Sequence, residues 1–154
     1  MRLIAHRGNL ERPNPDFENN PQYIMNAINL GYDAEIDLRI HNGELYLGHD
    51  YAQHKINESF LTINSFGLWI HCKDVLALGK CMNMPNLNYF WHQDDDYTLT
   101  SKNIIWAYPG KTPVAYTIMV MPELFWQDRN EVINLNPYGI CTDYVLNYAK
   151  KDYQ

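Results

Sequence analysis

The sequence predicts an α/β domain: a compact, degenerate (β/α)8 barrel of the TIM type, with several helices short or missing. Three observations carry that expectation. Short apolar runs of strand length recur along residues 1–154 and alternate with helix-like segments. The first alternation, strand–loop–helix–strand over residues 2–40, is a βαβ unit and favours parallel pairing. Charged and imidazole side chains stand at the ends of the apolar runs, where parallel barrels carry their chemistry. A typical barrel needs about 250 residues, so a chain of 154 residues, read as one domain, must be a stripped-down version. An open, doubly wound sheet is the alternative. The lack of a Gly-rich loop after the first run counts against its nucleotide-binding forms.

In chain order, Arg2–Arg7 reads as a buried strand, Leu3-Ile4-Ala5 followed by a polar pair. Residues 8–20 form a loop, marked by Pro13, Pro15 and several Asn. Asn20-Pro21 starts a helix, with Asn as cap and Pro in the first turn. That helix places Ile24, Ala27 and Ile28 on one face and stops at Gly31. Ala34–Ile40 is the second strand. Asn42-Gly43 is the strongest hairpin signal and joins it to Glu44–His49. A two-residue turn sets His49 opposite Ile36, and a one-residue bulge sets it opposite Glu35. The alternation of Leu45 and Leu47 with Ile36, Leu38 and Ile40 favours the tight turn. Glu58–Ser65 is a short helix. Strand-like runs follow at Leu68–Cys72, Tyr89–His92, Ile104–Tyr108, Val114–Val120 and Tyr138–Thr142. Helices are expected at Val75–Met82, Pro122–Asn130 and Val145–Lys151, and Asp94-Asp95-Asp96 is a loop.

Composition narrows the function. Hydrophobic residues make up 46% and charged residues 19%, which is globular rather than disordered. A net charge of −6 argues against nucleic acid or an anionic membrane as the main partner, while a few local cations suffice for a phosphate ester. No apolar run approaches the roughly 18 residues of a membrane span, and no signal peptide is expected from the N-terminal residues. Cys72, Cys81 and Cys141 are odd in number and lack metal-finger spacing. They read as free thiols of a reducing compartment, so the cytoplasm is the expected location.

Four clusters carry the chemistry. His6-Arg7-Gly8 closes the first strand, with a histidine able to move protons near neutral pH and an arginine able to grip phosphate. A cap or ion pair is the plainer role for both. Glu35-x-Asp37 puts two carboxylates on one strand face, about 6–7 Å apart. Facing inward they call for a cation, and a hard divalent ion fits oxygen ligands; facing outward they form a surface ladder with Arg39. Gly48-His49-Asp50 supplies a second histidine, which with His6 makes an acid/base pair. Phe90–Asp96 ends a later strand, where His92 could face the site; its acidic run is the ordinary signature of a solvated loop. His41 and His54 read as surface residues, and Trp106, Tyr108 and Trp126 as packing.

The order Ile4-Ala5-His6-Arg7-Gly8, Glu18-Asn19-Asn20, Ala27, Glu35-Ile36-Asp37, His49-Asp50 resembles the glycerophosphodiester phosphodiesterase family. That family groups with the phosphatidylinositol-specific phospholipase C-like barrels. Later echoes are Trp69-Ile70-His71-Cys72-Lys73, similar to the family's Ile-Glu-x-Lys strand, and Gly139-Ile140-Cys141-Thr142-Asp143, similar to its Gly-x-x-Thr-Asp last strand. The resemblance implies His6 and His49 as the acid/base pair, Arg7 as a phosphate ligand and Glu18 as a supporting substrate-site residue. It further implies Lys73 as the group that stabilises the charged phosphorane, and Glu35 and Asp37 as ligands of one Mg²⁺ or Ca²⁺ ion.

Two departures qualify this. His71 stands where the family has a third metal-ligating glutamate, and an imidazole leans the site toward a softer metal. The chain also lacks the insertion that many relatives carry near the site, which implies a more open mouth. The expected function is metal-assisted hydrolysis of a small phosphodiester, a lipid head group or a sugar phosphate. A non-catalytic phosphate- or sugar-binding barrel is one alternative; a metal-independent lyase forming a cyclic phosphate is another.

Overall fold

The structure is a computed structural model that describes residues 1–149. In chain order the elements are β1 (Arg2–Ala5), α1 (Pro21–Asn29), β2 (Asp33–His41), β3 (Glu44–Leu47), β4 (His54–Ile56), α2 (Glu58–Ile63), β5 (Leu68–Cys72) and α3 (Val75–Met82). Then come β6 (Tyr89–Phe90), β7 (Tyr97–Leu99), β8 (Ile105–Ala107), β9 (Thr117–Val120), α4 (Arg129–Asn134), β10 (Gly139–Thr142) and α5 (Val145–Ala149). Single 3-10 turns lie at His6–Gly8 and Pro122–Leu124. The last two residues of the terminal helix expected at Val145–Lys151 lie outside the described residues.

Ten strands form one mixed, curled sheet. β1 pairs in parallel with both β2 and β10, β9 lies between β10 and β8, and β5 lies between β2 and β6. Antiparallel pairs are confined to the hairpins β2–β3–β4 and β7–β8. The α/β class and parallel core therefore agree with the sequence. What the structure contains is a curled sheet, and no backbone ladder joins β6 to β7 or β8 among the described residues.

Strand period two sorts the residues. On β2, Ile36 and Leu38 point toward the helices and pack with Ile24 and Ala27 of α1, Leu61 of α2 and Ala77 of α3. On the concave side, Ile4, Trp69, Phe90, Trp106, Ile118 and Cys141 fill the interior of the curl. Trp106 packs against Phe90 and Trp69 in tilted pairs, with ring centroids 4.5 and 5.8 Å apart. Glu35 and Asp37 also face this side and are 2% and 0% exposed, so the solvated-ladder reading of the strand is wrong.

Local signals explain most of the boundaries. Asn20 caps α1 by accepting from the Gln22 and Tyr23 amides, as its side chain predicts. The Asn42-Gly43 turn is the tight one, with His41 opposite Glu44 and Leu38 opposite Leu47. β1 is shorter than expected, because Arg7 adopts a left-handed backbone (φ 51°) and ends the extended run. The expected helix at Pro122–Asn130 is instead the turn Pro122–Leu124 followed by α4. Met121 is left-handed (φ 44°), and Asp128 caps a new helix by accepting from the Asn130 amide. β4 and β7, both three residues long, lie in segments too polar to read as strands.

Candidate functional site

The polar residues gather at the carboxyl ends of β1, β2, β5 and β10. β1 delivers its chain into the His6–Gly8 turn. There the Arg7 amide donates to Glu35 Oε2 at 3.2 Å, and Gly8 (φ +90°) packs under α1. A Cβ at Gly8 would lie 2.9 Å from Tyr23 Cδ1, so the close approach needs glycine. The turn aims His6 Nδ1 at Asp143 Oδ1, 2.8 Å away, with both side chains largely buried. Asn9 Nδ2 donates to Glu18 Oε1 at 2.9 Å and to Asp143 Oδ1 at 2.8 Å, tying the loop to the end of β10.

Arg7 turns its guanidinium onto acids of the site. Its Nη1 donates to Glu18 Oε2 at 3.1 Å and its Nε lies 3.0 Å from Asp37 Oδ2. Asn19, left-handed at φ 62°, exchanges two hydrogen bonds with Asp37 at 2.9 Å: its Nδ2 donates to Oδ2, and its Oδ1 accepts from the Asp37 amide. Asp37 Oδ1 accepts no hydrogen bond among the described residues. The nitrogens nearest to it are His71 Nδ1 at 3.3 Å and Lys73 Nζ at 3.8 Å.

His71 is held by the parallel β2–β5 register, which sets it opposite Asp37, and by stacking on Phe90 at 5.0 Å. Its Nε2 lies 2.9 Å from the His92 carbonyl, which can only accept, so the proton sits on Nε2. In the neutral ring Nδ1 is then a lone pair facing Asp37 Oδ1 and, at 3.9 Å, Glu35 Oε1. A lone pair beside two carboxylate oxygens is repulsive unless Nδ1 is protonated or a cation lies between them. Ligand atoms of Glu35, Asp37 and His71 all lie within 4.8 Å of one another. The orphaned Asp37 oxygen, this lone pair and the spacing fit a divalent ion. Charge agrees, since among the described residues Glu18, Glu35, Asp37 and Asp143 face only Arg7 and Lys73 as permanent cations.

The two carboxylates are pushed apart in acidity. Burial, then the charge of Asp37, raises Glu35. Burial opposes ionisation of Asp37 as well, but the contact with His71 Nδ1, when that nitrogen carries a proton, and the Arg7 guanidinium outweigh it and hold Asp37 below the usual carboxylate range. The histidines also diverge. Burial works against the imidazolium of His6, yet the hydrogen bond to Asp143 and the charge of Glu35 leave its pKa raised. His49 is lowered, first by burial and then by the charge of Arg7, against the pull of Asp37.

His49 leaves the end of β3 and lines a cleft of about 360 Å³ together with His71, Lys73, Trp91, His92 and Tyr108. Its Nδ1 pairs with Asp50 Oδ1 at 2.7 Å. Every residue singled out in the sequence thus lies in or beside one site: His6, Arg7, Glu18, Glu35, Asp37, His49, His71 and Lys73. His92 does face it, whereas the side chains of Asp94–Asp96 are exposed; Asp96 pairs with Lys111, and the Asp95 carbonyl is the partner of His92 Nε2. Sequence reasoning missed Asn9, and it gave no role to Asn19 and Asp143, although both stand in the motifs quoted for the resemblance. Asn9 and Asn19 are 0% and 1% exposed, which loop asparagines rarely are, but burial cannot be read from a loop sequence.

No family model and no curated protein matches the chain. Among solved structures, the chain resembles that of "a putative glycerophosphodiester phosphodiesterase from Galdieria sulphuraria", with a TM-score of 0.54, 10% identity and 96% of each chain covered. At that identity the likeness establishes a shared fold over nearly the whole length. The name printed for that protein coincides with the family that the motifs of residues 3–50 resemble.

Proposed function

We propose that the protein is a phosphoric diester hydrolase of the glycerophosphodiester phosphodiesterase type, built on a stripped-down (β/α)8 barrel of one domain. The observation that carries this reading is that ligand atoms of Glu35, Asp37 and His71 lie within 4.8 Å of one another, with His6 and His49 in electrostatic range of the carboxylates. Those three residues would hold one divalent ion, Mg²⁺ or Ca²⁺, or a softer ion on account of His71. When bound, the ion supplies positive charge to the non-bridging phosphate oxygens and acidifies the nucleophile.

The chain's own groups do the rest. Asp50 accepts from His49 Nδ1, which leaves Nε2 as the lone pair that takes the proton of the attacking oxygen. The lowered pKa of His49 suits a base. Asp143 accepts from His6 Nδ1, so Nε2 of the imidazolium donates its proton to the leaving alkoxide as the P–O bond breaks. The raised pKa of His6 suits an acid. Lys73 and Arg7 supply fixed positive charge beside the phosphorane, and Glu18 orients Arg7. The nucleophile is water or a hydroxyl of the substrate; the second would release a cyclic phosphate.

The substrate class is a small phosphodiester such as a lipid head group or sugar phosphate, and the cytoplasm suits the three buried free thiols. One observation favours a metal-independent lyase instead: Arg7 and Lys73 already lie at 3.0 and 3.8 Å from the two Asp37 oxygens.

Turnover of bis(p-nitrophenyl) phosphate, with and without a chelator, separates these readings. For the hydrolase, chelation abolishes turnover, Glu35→Gln and Asp37→Asn each lose divalent-ion binding in calorimetry, and His6→Ala and His49→Ala each lose at least about 10²-fold in kcat. Activity that survives chelation moves the assignment to the lyase. Wild-type turnover in either histidine variant removes the two-histidine mechanism.

A further inference from the structure

Arg39 is the next residue on the β2 face that carries Glu35 and Asp37, and the chemistry above does not use it. Read from sequence, an outward ladder is one of two placements for this face, and it puts Arg39 in solvent. In the structure it is part-buried, and its Nε donates to the Gly48 carbonyl at 2.9 Å while its Nη2 donates to the His49 carbonyl. Those carbonyls belong to the peptide planes on either side of the His49 Cα, so one guanidinium pins the backbone that presents the ring.

Little else holds this segment. The β2–β3 ladder ends at Leu47, and the last backbone bond to β2 runs from the Gly48 amide to the Asp37 carbonyl at 3.0 Å. The chain is next tied down at Gln53, whose amide donates to the Leu47 carbonyl at 3.0 Å. On the side chain, the partner of His49 is Asp50, itself 83% exposed and weakly able to order a ring through solvent. Charge-assisted hydrogen bonds from a planar fork are the stronger restraint.

We propose that Arg39 is a positioning residue for His49, acting through the Gly48 and His49 carbonyls. This rests on the reading of His49 as a proton-transfer group. Lysine cannot reproduce it, because a point charge grips one carbonyl where the fork grips two. A cavity of about 400 Å³, lined by Arg39, Tyr46, Tyr51 and Asp74, lies beside the guanidinium and would admit a small cation in place of a truncated side chain.

The test compares wild type, Arg39→Ala and Arg39→Lys on bis(p-nitrophenyl) phosphate. Arg39→Ala should lower kcat by about 10²-fold with KM little changed, since a misplacement of about 1 Å at a reacting group costs that much. Divalent-ion affinity should stay within about twofold of wild type, because no metal-ligating residue is touched. Guanidinium chloride at millimolar concentration should restore part of the lost kcat, and Arg39→Lys should fall between the two. A kcat for Arg39→Ala within about threefold of wild type overturns the proposal, as does a loss that guanidinium leaves unchanged. If Arg39→Ala does not fold, Arg39→Lys decides by the same kcat criterion. Should the wild type hydrolyse no phosphodiester, the functional reading fails by itself. The His49 amide heteronuclear NOE then decides the positioning role: a fall in Arg39→Lys supports it, and an unchanged value overturns it.

Discussion

The His6–Asp143 pair sets the behaviour of the site at the scale of single residues. Both side chains are buried, and they shift in opposite directions. Burial alone would raise Asp143, but the hydrogen bond and charge of His6 bring it below 3.8. A lowered acid contributes stability above its unfolded pKa and loses it as pH falls through the folded one. His6, raised above 6.5, contributes below that value and loses its contribution as pH rises through the folded pKa. The pair is therefore most stabilising between about pH 4 and 6.5. Asp143→Asn should cost about 1.5–3 kcal/mol in that window, with a smaller penalty above it. Thermal melts of both proteins across pH measure this, and a penalty that does not vary with pH would exclude the ion pair.

At the scale of elements, the β2–β3 hairpin is the device that turns a sequence pattern into a site. Asn42-Gly43 specifies the tight turn, the turn specifies the register, and the register brings Gly48 to Asp37. Gly48 then makes the exit bend at φ +151°, where a Cβ would lie 2.1 Å from the Tyr51 carbonyl oxygen. Gly48→Ala should displace the turn that carries His49. We expect a loss of about 1–3 kcal/mol, seen in denaturant melts, together with a collapse of kcat larger than that stability loss explains. Wild-type kcat in a folded Gly48→Ala protein would mean that His49 needs no such bend. Helix α1 is the opposite case, since cap, proline and buried face were all legible in Asn20, Pro21, Ile24 and Ala27. The α4 region was not legible, because a left-handed Met121 is a tertiary outcome that propensity does not predict.

At the scale of the whole molecule, an aromatic plug supports the polar layer. Trp69, Phe90 and Trp106 fill the interior, and His71 lies flat on Phe90 at 14°. Phe90→Ala should cost about 3–5 kcal/mol as a buried large-to-small change, lowering Tm by roughly 6–20 °C for a chain of this size. It should also weaken divalent-ion binding by releasing the His71 ring, which titration calorimetry at a temperature where the variant is folded would read. Unchanged affinity would show that the His92 carbonyl alone orients His71.

The candidate site residues were legible in the sequence because local rules place them: strand ends, a two-residue turn and period-two alternation each act over a few neighbours. The placement of His6, Glu35, Asp37 and His49 at strand ends and on one strand face followed from those rules, and so did the parallel α/β class, whereas their roles came from the family resemblance. What tertiary structure alone decided was which face of β2 points inward, that Asp143 returns from the far end of the chain to hold His6, and that Arg39 donates to the Gly48 and His49 carbonyls. These depend on one pairing between side chains 137 residues apart and two between side chain and backbone, 28 and 10 residues apart. Such contacts form only when the sheet curls and buries their polar groups together, and no local signal encodes that burial.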